Sequence, residues 1–150
     1  MMEPAEFLSV FLAALAAFAI GWLWYSPLMF GPGWMKEVWG FDMKASKPKP
    51  TEKQAAASAN MGKLITLAFA FQLFTAYILA HFLFVAGEGA LDGNYRDSVT
   101  TVLWIWAGFS LPLNFAGLLW EGRSLKHALI NASQTLASLI ASALVLTALA

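Results

Sequence analysis

Gly21-Trp22-Leu23-Trp24-Tyr25-Ser26-Pro27-Leu28-Met29-Phe30-Gly31-Pro32-Gly33-Trp34 is where an apolar helix stops and the chain begins to bend. Aromatic rings of this kind gather at a membrane surface, and Pro27, Gly31, Pro32 and Gly33 interrupt helical continuation. The stretch reads as the exit of a membrane span. Ahead of it, Ser9, Ala13, Ala17 and Gly21 recur every fourth residue. That ladder of small side chains lets another helix backbone come close, so this face is expected to pack on protein, with a second copy of the chain as a candidate.

The composition around this stretch agrees. Of 150 residues, 59% are hydrophobic and 12% charged. The mean hydropathy is +0.64. Soluble domains carry about 25% charged residues, so this chain has half the usual solvating material. A formal net charge of zero argues against a nucleic-acid partner, which asks for a basic patch. With no cysteine, thiolate nucleophiles, disulfides and Cys-based metal sites are excluded.

Four uncharged runs, at 7–35, 64–87, 98–120 and 128–150, each exceed the roughly 20 residues that cross a hydrocarbon core as a helix. The predicted fold is an all-α membrane protein, a single domain over 1–150. Its transmembrane helices are expected at about 5–26, 61–86, 98–120 and 125–149, with a short interfacial helix at about 34–41. A soluble bundle would need charged outer faces at helical period, and these runs supply none. A cleaved signal would need a basic start and a short core, whereas Glu3 and Glu6 precede a longer run. The segment 42–59, with its alternating Lys and Pro at 47–50, is expected to be an extended, hydrated linker.

Orientation follows from the cations. Loops 27–60 and 121–126, with Lys63 at the membrane edge, hold eight Lys and Arg, against Arg96 alone in the loop between spans two and three. The cation-rich loops are expected in the cytoplasm and both termini outside.

Polar residues inside the spans are the candidate functional groups. Tyr77 and His81 share a face of span two, with Gln72 and Thr75 roughly opposite. An intramembrane His is either functional or a neutral imidazole bonded to a backbone carbonyl. In span three, with Asp97 or Ser98 expected as N-cap, Pro112 should kink the helix and free the Gly108 carbonyl. Trp106, Ser110, Asn114, Gly117 and Glu121 fall on one face there. Span four carries His127, Asn131, Gln134, Ser138 and Ser142 on one stripe, with Leu125, Leu129, Leu136, Ile140 and Ala143 expected toward lipid.

The opening stretch resembles the signature of a bacterial membrane family known as domain of unknown function seventeen sixty-one. The residues that carry the resemblance are Trp24, Tyr25, Ser26 and Pro27, then Phe30, Gly31 and Trp34. Segments 76–81, 106–109, 119–124 and 129–131 are similar to the same family in the same order. The resemblance implies a four-span bacterial membrane protein, for which the inner membrane is the expected location, and brings no activity or ligand with it.

No catalytic motif is present. His-Glu-x-x-His, Gly-x-Ser-x-Gly and a phosphate-cradling glycine loop are all missing, and His81 and His127 lie near opposite membrane faces, too far apart to share a metal. No cofactor is expected. Ser110, Asn114, Glu121, His127, Asn131, Gln134 and Ser138 therefore have two readings. Lining water, they make a path for a small solute or ion through a homo-oligomer. Bonded together, they pack helices in an accessory subunit whose aromatic turn is a platform for lipid or another membrane protein. Translocation is the first expectation, with Glu121 and His127 at the cytoplasmic mouth; a salt bridge at a helix end is the alternative for that pair.

Overall fold

The computed structural model describes residues 7–86 and 94–150. The predicted helix start at residue 5 and the first part of the predicted loop between spans two and three lie outside the described residues. Four helices are long and apolar enough to cross a membrane: Phe7–Trp24 (α1), Met61–Ala86 (α4), Tyr95–Trp120 and Leu125–Ala148 (α7). The third is continuous but not uniform, running as Tyr95–Ile105 (α5), a π-helical turn at Trp106–Ser110, and Leu111–Trp120 (α6). Two short helices, Gly31–Trp39 (α2) and Glu52–Ala59 (α3), fill the connection between the first two spans.

The spans run up and down; α4 packs mainly on α1, while α7 packs most closely on α1 and also against α5 and α6. This position of α7 corrects the lipid face predicted for it. Leu125 and Leu129 are exposed, but Leu136 and Ile140 pack against the core and Ala143 is fully buried within it. That core joins Val10, Ala13 and Ala14 of α1 to Leu79 and Leu83 of α4 and to Leu139 and Leu146 of α7. Small residues dominate the α1 side because close backbone approach, not water exclusion, is what holds helices together in lipid.

The ladder on α1 meets α7 of the same chain. Ser142 Oγ donates to the Ala13 carbonyl and Ser138 Oγ to the Ala17 carbonyl, both at 3.2 Å. This contact occupies the face expected to receive a second copy. Replacing Ser142 with Ala should cost only about 0.6 kcal/mol in detergent unfolding titrations, since the Ala13 carbonyl keeps its helical donor. A much larger loss would mean that this hydroxyl has a second role.

Local chemistry explains the departures from the predicted elements. Helix α2 starts at Gly31, earlier than expected, because Pro32 in a first turn gives up an amide that has no helical acceptor anyway. It stops at Gly40, whose φ of 67° provides a left-handed cap with Gly40 N donating to the Lys36 carbonyl. Beyond it, Lys36 Nζ lies 2.9 Å from Asp42, raising the Lys36 pKa and lowering that of Asp42. The predicted extended linker is irregular only up to Thr51. The Thr51 hydroxyl accepts from Gln54 N, donates to the Trp39 carbonyl at 2.6 Å, and starts α3.

In span three the N-cap is Asn94, three residues before Asp97, whose amide it accepts. The single free carbonyl expected four residues before Pro112 is replaced by the π turn, in which Leu111 N reaches back to the Trp106 carbonyl. The extra residue spreads the disturbance over a whole turn. It accompanies the docking of Trp106, whose indole donates to the Ala132 carbonyl of α7 at 2.8 Å.

Candidate functional site

The turn after α1 is built from its own polar groups. Ser26 Oγ donates to the Leu23 carbonyl at 2.7 Å and accepts from Leu28 N, while the Ser26 carbonyl accepts from both Met29 N and Gly31 N. Phe30 N returns to the Trp24 carbonyl, and the Phe30 ring packs on Trp24 at 5.0 Å between centroids. The chain thus folds so tightly at Gly31 that a Cβ there would lie against the Tyr25 and Ser26 carbonyl oxygens, 2.5 Å from the latter. Only glycine fits. Trp34, one turn further on, sets its ring against both Tyr25 and Trp39.

This knot is fastened to the start of α7. Trp24 Nε1 donates to the Ile130 carbonyl at 3.2 Å, and Tyr25 OH donates to Asn131 Oδ1 at 2.8 Å. Asn131 Nδ2 faces His127 Nε2 at 3.0 Å, and Arg123 Nη1 faces the same nitrogen at 3.3 Å. Because a guanidinium only donates, His127 Nε2 is the acceptor, which fixes the Asn131 amide with its nitrogen toward His127 and its oxygen toward Tyr25. Ser124 caps α7 by accepting from His127 N and donates to Glu37 of α2 at 2.6 Å. Glu37 thereby places a carboxylate at a helix N-terminus, where the dipole favours it.

Behind the knot lies a cavity of about 690 Å³. It lies beside the largely exposed first half of α4, whose buried residues, Ala76, Leu79, Ala80 and Leu83, are all in the second half. Phe69 closes the narrow part of this wedge with edge-on contacts to Phe11 and Phe18. One wall is Phe18, Gly21 and Trp22 of α1; the other is Leu64, Ile65 and Ala68 of α4. Trp34, Trp39 and three methionines, Met35, Met43 and Met61, close the end near α2 and α3. Methionine suits a wall that adapts to its contents.

Among the described residues, the polar groups that reach this cavity are all uncharged. Tyr25 and Ser26 come from the turn, Gln54 and Ser58 from α3, and Gln72 and Gln134 from the deep end. Gln134 Nε2 donates to Ser138 Oγ at 2.8 Å and sits so near Gly21 that a Cβ there would be 3.1 Å away.

The structure therefore gathers the aromatic signature with His127, Asn131, Gln134 and Ser138, and leaves the other candidates apart. Asn114 Nδ2 turns back to the Ser110 carbonyl in its own span at 2.8 Å. Glu121 is exposed and joins the site only through Arg123, with which it pairs at 2.7 Å and which faces His127. Tyr77 and His81 pack with tilted rings 4.4 Å apart, and His81 Nδ1 lies 2.9 Å from the Tyr77 carbonyl, as in the backbone-bonded reading of that histidine. Gln72 is among the predicted polar groups of span two but not on the predicted path, and Gln54 and Ser58 are not predicted as site residues. An amide within an uncharged run was the available signal for Gln72, whereas the two α3 residues needed a helix that the Lys-Pro segment concealed.

No curated protein and no solved structure matches the chain. Two of the segments singled out by resemblance meet in space, Trp24 on Ile130 and Tyr25 on Asn131. The family model described as protein of unknown function (DUF1761) matches residues 8–147, and this four-span membrane protein belongs to that family.

Proposed function

We propose that this integral membrane protein binds a largely apolar, membrane-dissolved molecule in the wedge between α1 and α4, as a platform and not a conduit. The observation that carries the reading is the cavity itself. At about 690 Å³, walled by aromatic and aliphatic side chains with a few uncharged polar groups, it has the size and lining of a small-molecule site. Its end beside α2 and α3 lies next to the Lys-rich loop, which favours a position at the cytoplasmic face of a bacterial inner membrane.

Passage of a solute or ion along spans three and four draws less support. Ser110 and Asn114 bond within their own span, while Asn131, Gln134 and Ser138 bond directly to other side chains or to the α1 backbone. A homo-oligomer loses its best argument too, since the α1 ladder is covered by α7.

The test is occupancy. Protein extracted in native-membrane nanodiscs should carry a bound apolar molecule detectable by native mass spectrometry. Ala68→Trp, which fills the cavity from its exposed side, should lower that occupancy about tenfold without changing thermal unfolding. Equal occupancy in both proteins overturns the reading.

A further inference from the structure

Gln72 stands 11 residues into α4, about 16 Å along the helix from Met61 and near the middle of a hydrocarbon core of about 30 Å. Its side chain lines the cavity and makes no hydrogen bond among the described residues. Gln134 reaches the same space from α7. One of its amide hydrogens goes to Ser138, which leaves its carbonyl oxygen and a second hydrogen without a partner there. An amide at this depth is penalised unless something meets it. Neighbouring side chains on this wall, Phe18, Ile65 and Ala68, have nothing to offer.

Resting on the cavity-binding reading above, we infer that the occupant is a neutral long-chain molecule bearing a carbonyl oxygen at the end that reaches Gln72. A carbonyl accepts from the Gln72 amide, and the second Gln134 hydrogen is available to the same group. Charge selects against other lipids. Among the described residues no Asp, Glu, Lys, Arg or His lines the cavity, so an ionised head would find no counter-ion from them at the deep end. Phospholipid ester carbonyls are tied to a head group at the membrane surface and do not reach a depth of about 16 Å. A ketone, quinone or amide at the end of an alkyl chain meets both conditions.

Photolabelling in nanodiscs tests this with three probes of equal length: a diazirine-bearing long-chain ketone, the corresponding alkane and the corresponding carboxylate. The ketone should label peptides of α1 and α4 at the lowest concentration. Gln72→Leu should raise its half-saturating concentration about three- to tenfold, the worth of one neutral hydrogen bond, and leave the alkane unchanged. Gln72→Asn, which keeps the amide but shortens it, separates loss of chemistry from loss of fold and should fall between the two. Equal labelling by ketone and alkane, unaffected by Gln72→Leu, overturns the carbonyl assignment while leaving the cavity occupied. Strongest labelling by the carboxylate overturns it also. Labelling of cavity peptides that Ala68→Trp fails to reduce overturns the underlying binding reading instead.

Discussion

Replacing Gly31 with alanine is expected to destabilise the protein by about 3 kcal/mol or more, at or above the upper end of what overpacking usually costs. The added methyl meets backbone: the Tyr25 and Ser26 carbonyl oxygens lie where it would go, and neither can swing aside. The Ser26 carbonyl already accepts from Met29 N and Gly31 N, so moving it breaks the bonds that define the turn. Damage should spread to Trp24 and Tyr25, which hold α7 from the same few residues. Two other glycines calibrate the effect. At Gly33 a methyl meets only the flexible end of Lys126, so Gly33→Ala should be mild. At Gly62 it meets nothing within 4 Å, and Gly62→Ala should gain up to about 1 kcal/mol of helix propensity. Unfolding titrations in detergent, with size-exclusion profiles to detect aggregation, rank the three. Equal stability of Gly31→Ala and Gly33→Ala would show that the turn is not the tight knot described here.

The spans were legible in the sequence because lipid imposes a simple requirement, some 20 apolar residues with every backbone group bonded locally. The aromatic turn was legible for a similar reason, since Pro27 and Gly31 constrain backbone directly. What escaped depended on which elements meet. The spacing of Ser9, Ala13, Ala17 and Gly21 announced a close helix contact but not its partner, and small residues suit α7 of the same chain as well as a second copy. The polar stripe of span four was real in period, yet period is silent on whether Gln134 faces water, a serine or a cavity. Helix α3 had a local signal, Thr51 followed by Gln54 with an alanine run behind, and the prolines just before it masked the cap. A one-residue insertion such as the π turn leaves hydropathy unchanged, so Pro112 pointed to the right region and the wrong defect.

Asn131→Leu should cost about 2–4 kcal/mol, because it removes two hydrogen bonds and strands one group on the aromatic turn and one on its own helix. Tyr25 OH loses its acceptor, and His127 Nε2 keeps only the longer contact to Arg123 at 3.3 Å. Water cannot easily replace the amide, since His127 is buried and Trp24 and Trp34 flank Tyr25. Tyr25→Phe removes the other half of the main bond and leaves the Asn131 oxygen unmet. If the two residues are bonded as described, the double variant Tyr25→Phe/Asn131→Leu should cost less than the sum of the single losses by about 1 kcal/mol, since the second change has no bond left to break. Additive costs would mean that the aromatic turn and the start of α7 are not joined through this pair. The measurement also bears on the binding reading, because the same bond sets the position of Tyr25 and Trp34 in the cavity wall. A Tyr25→Phe protein that folds but releases its bound molecule would place the turn in the binding site as well as in the fold.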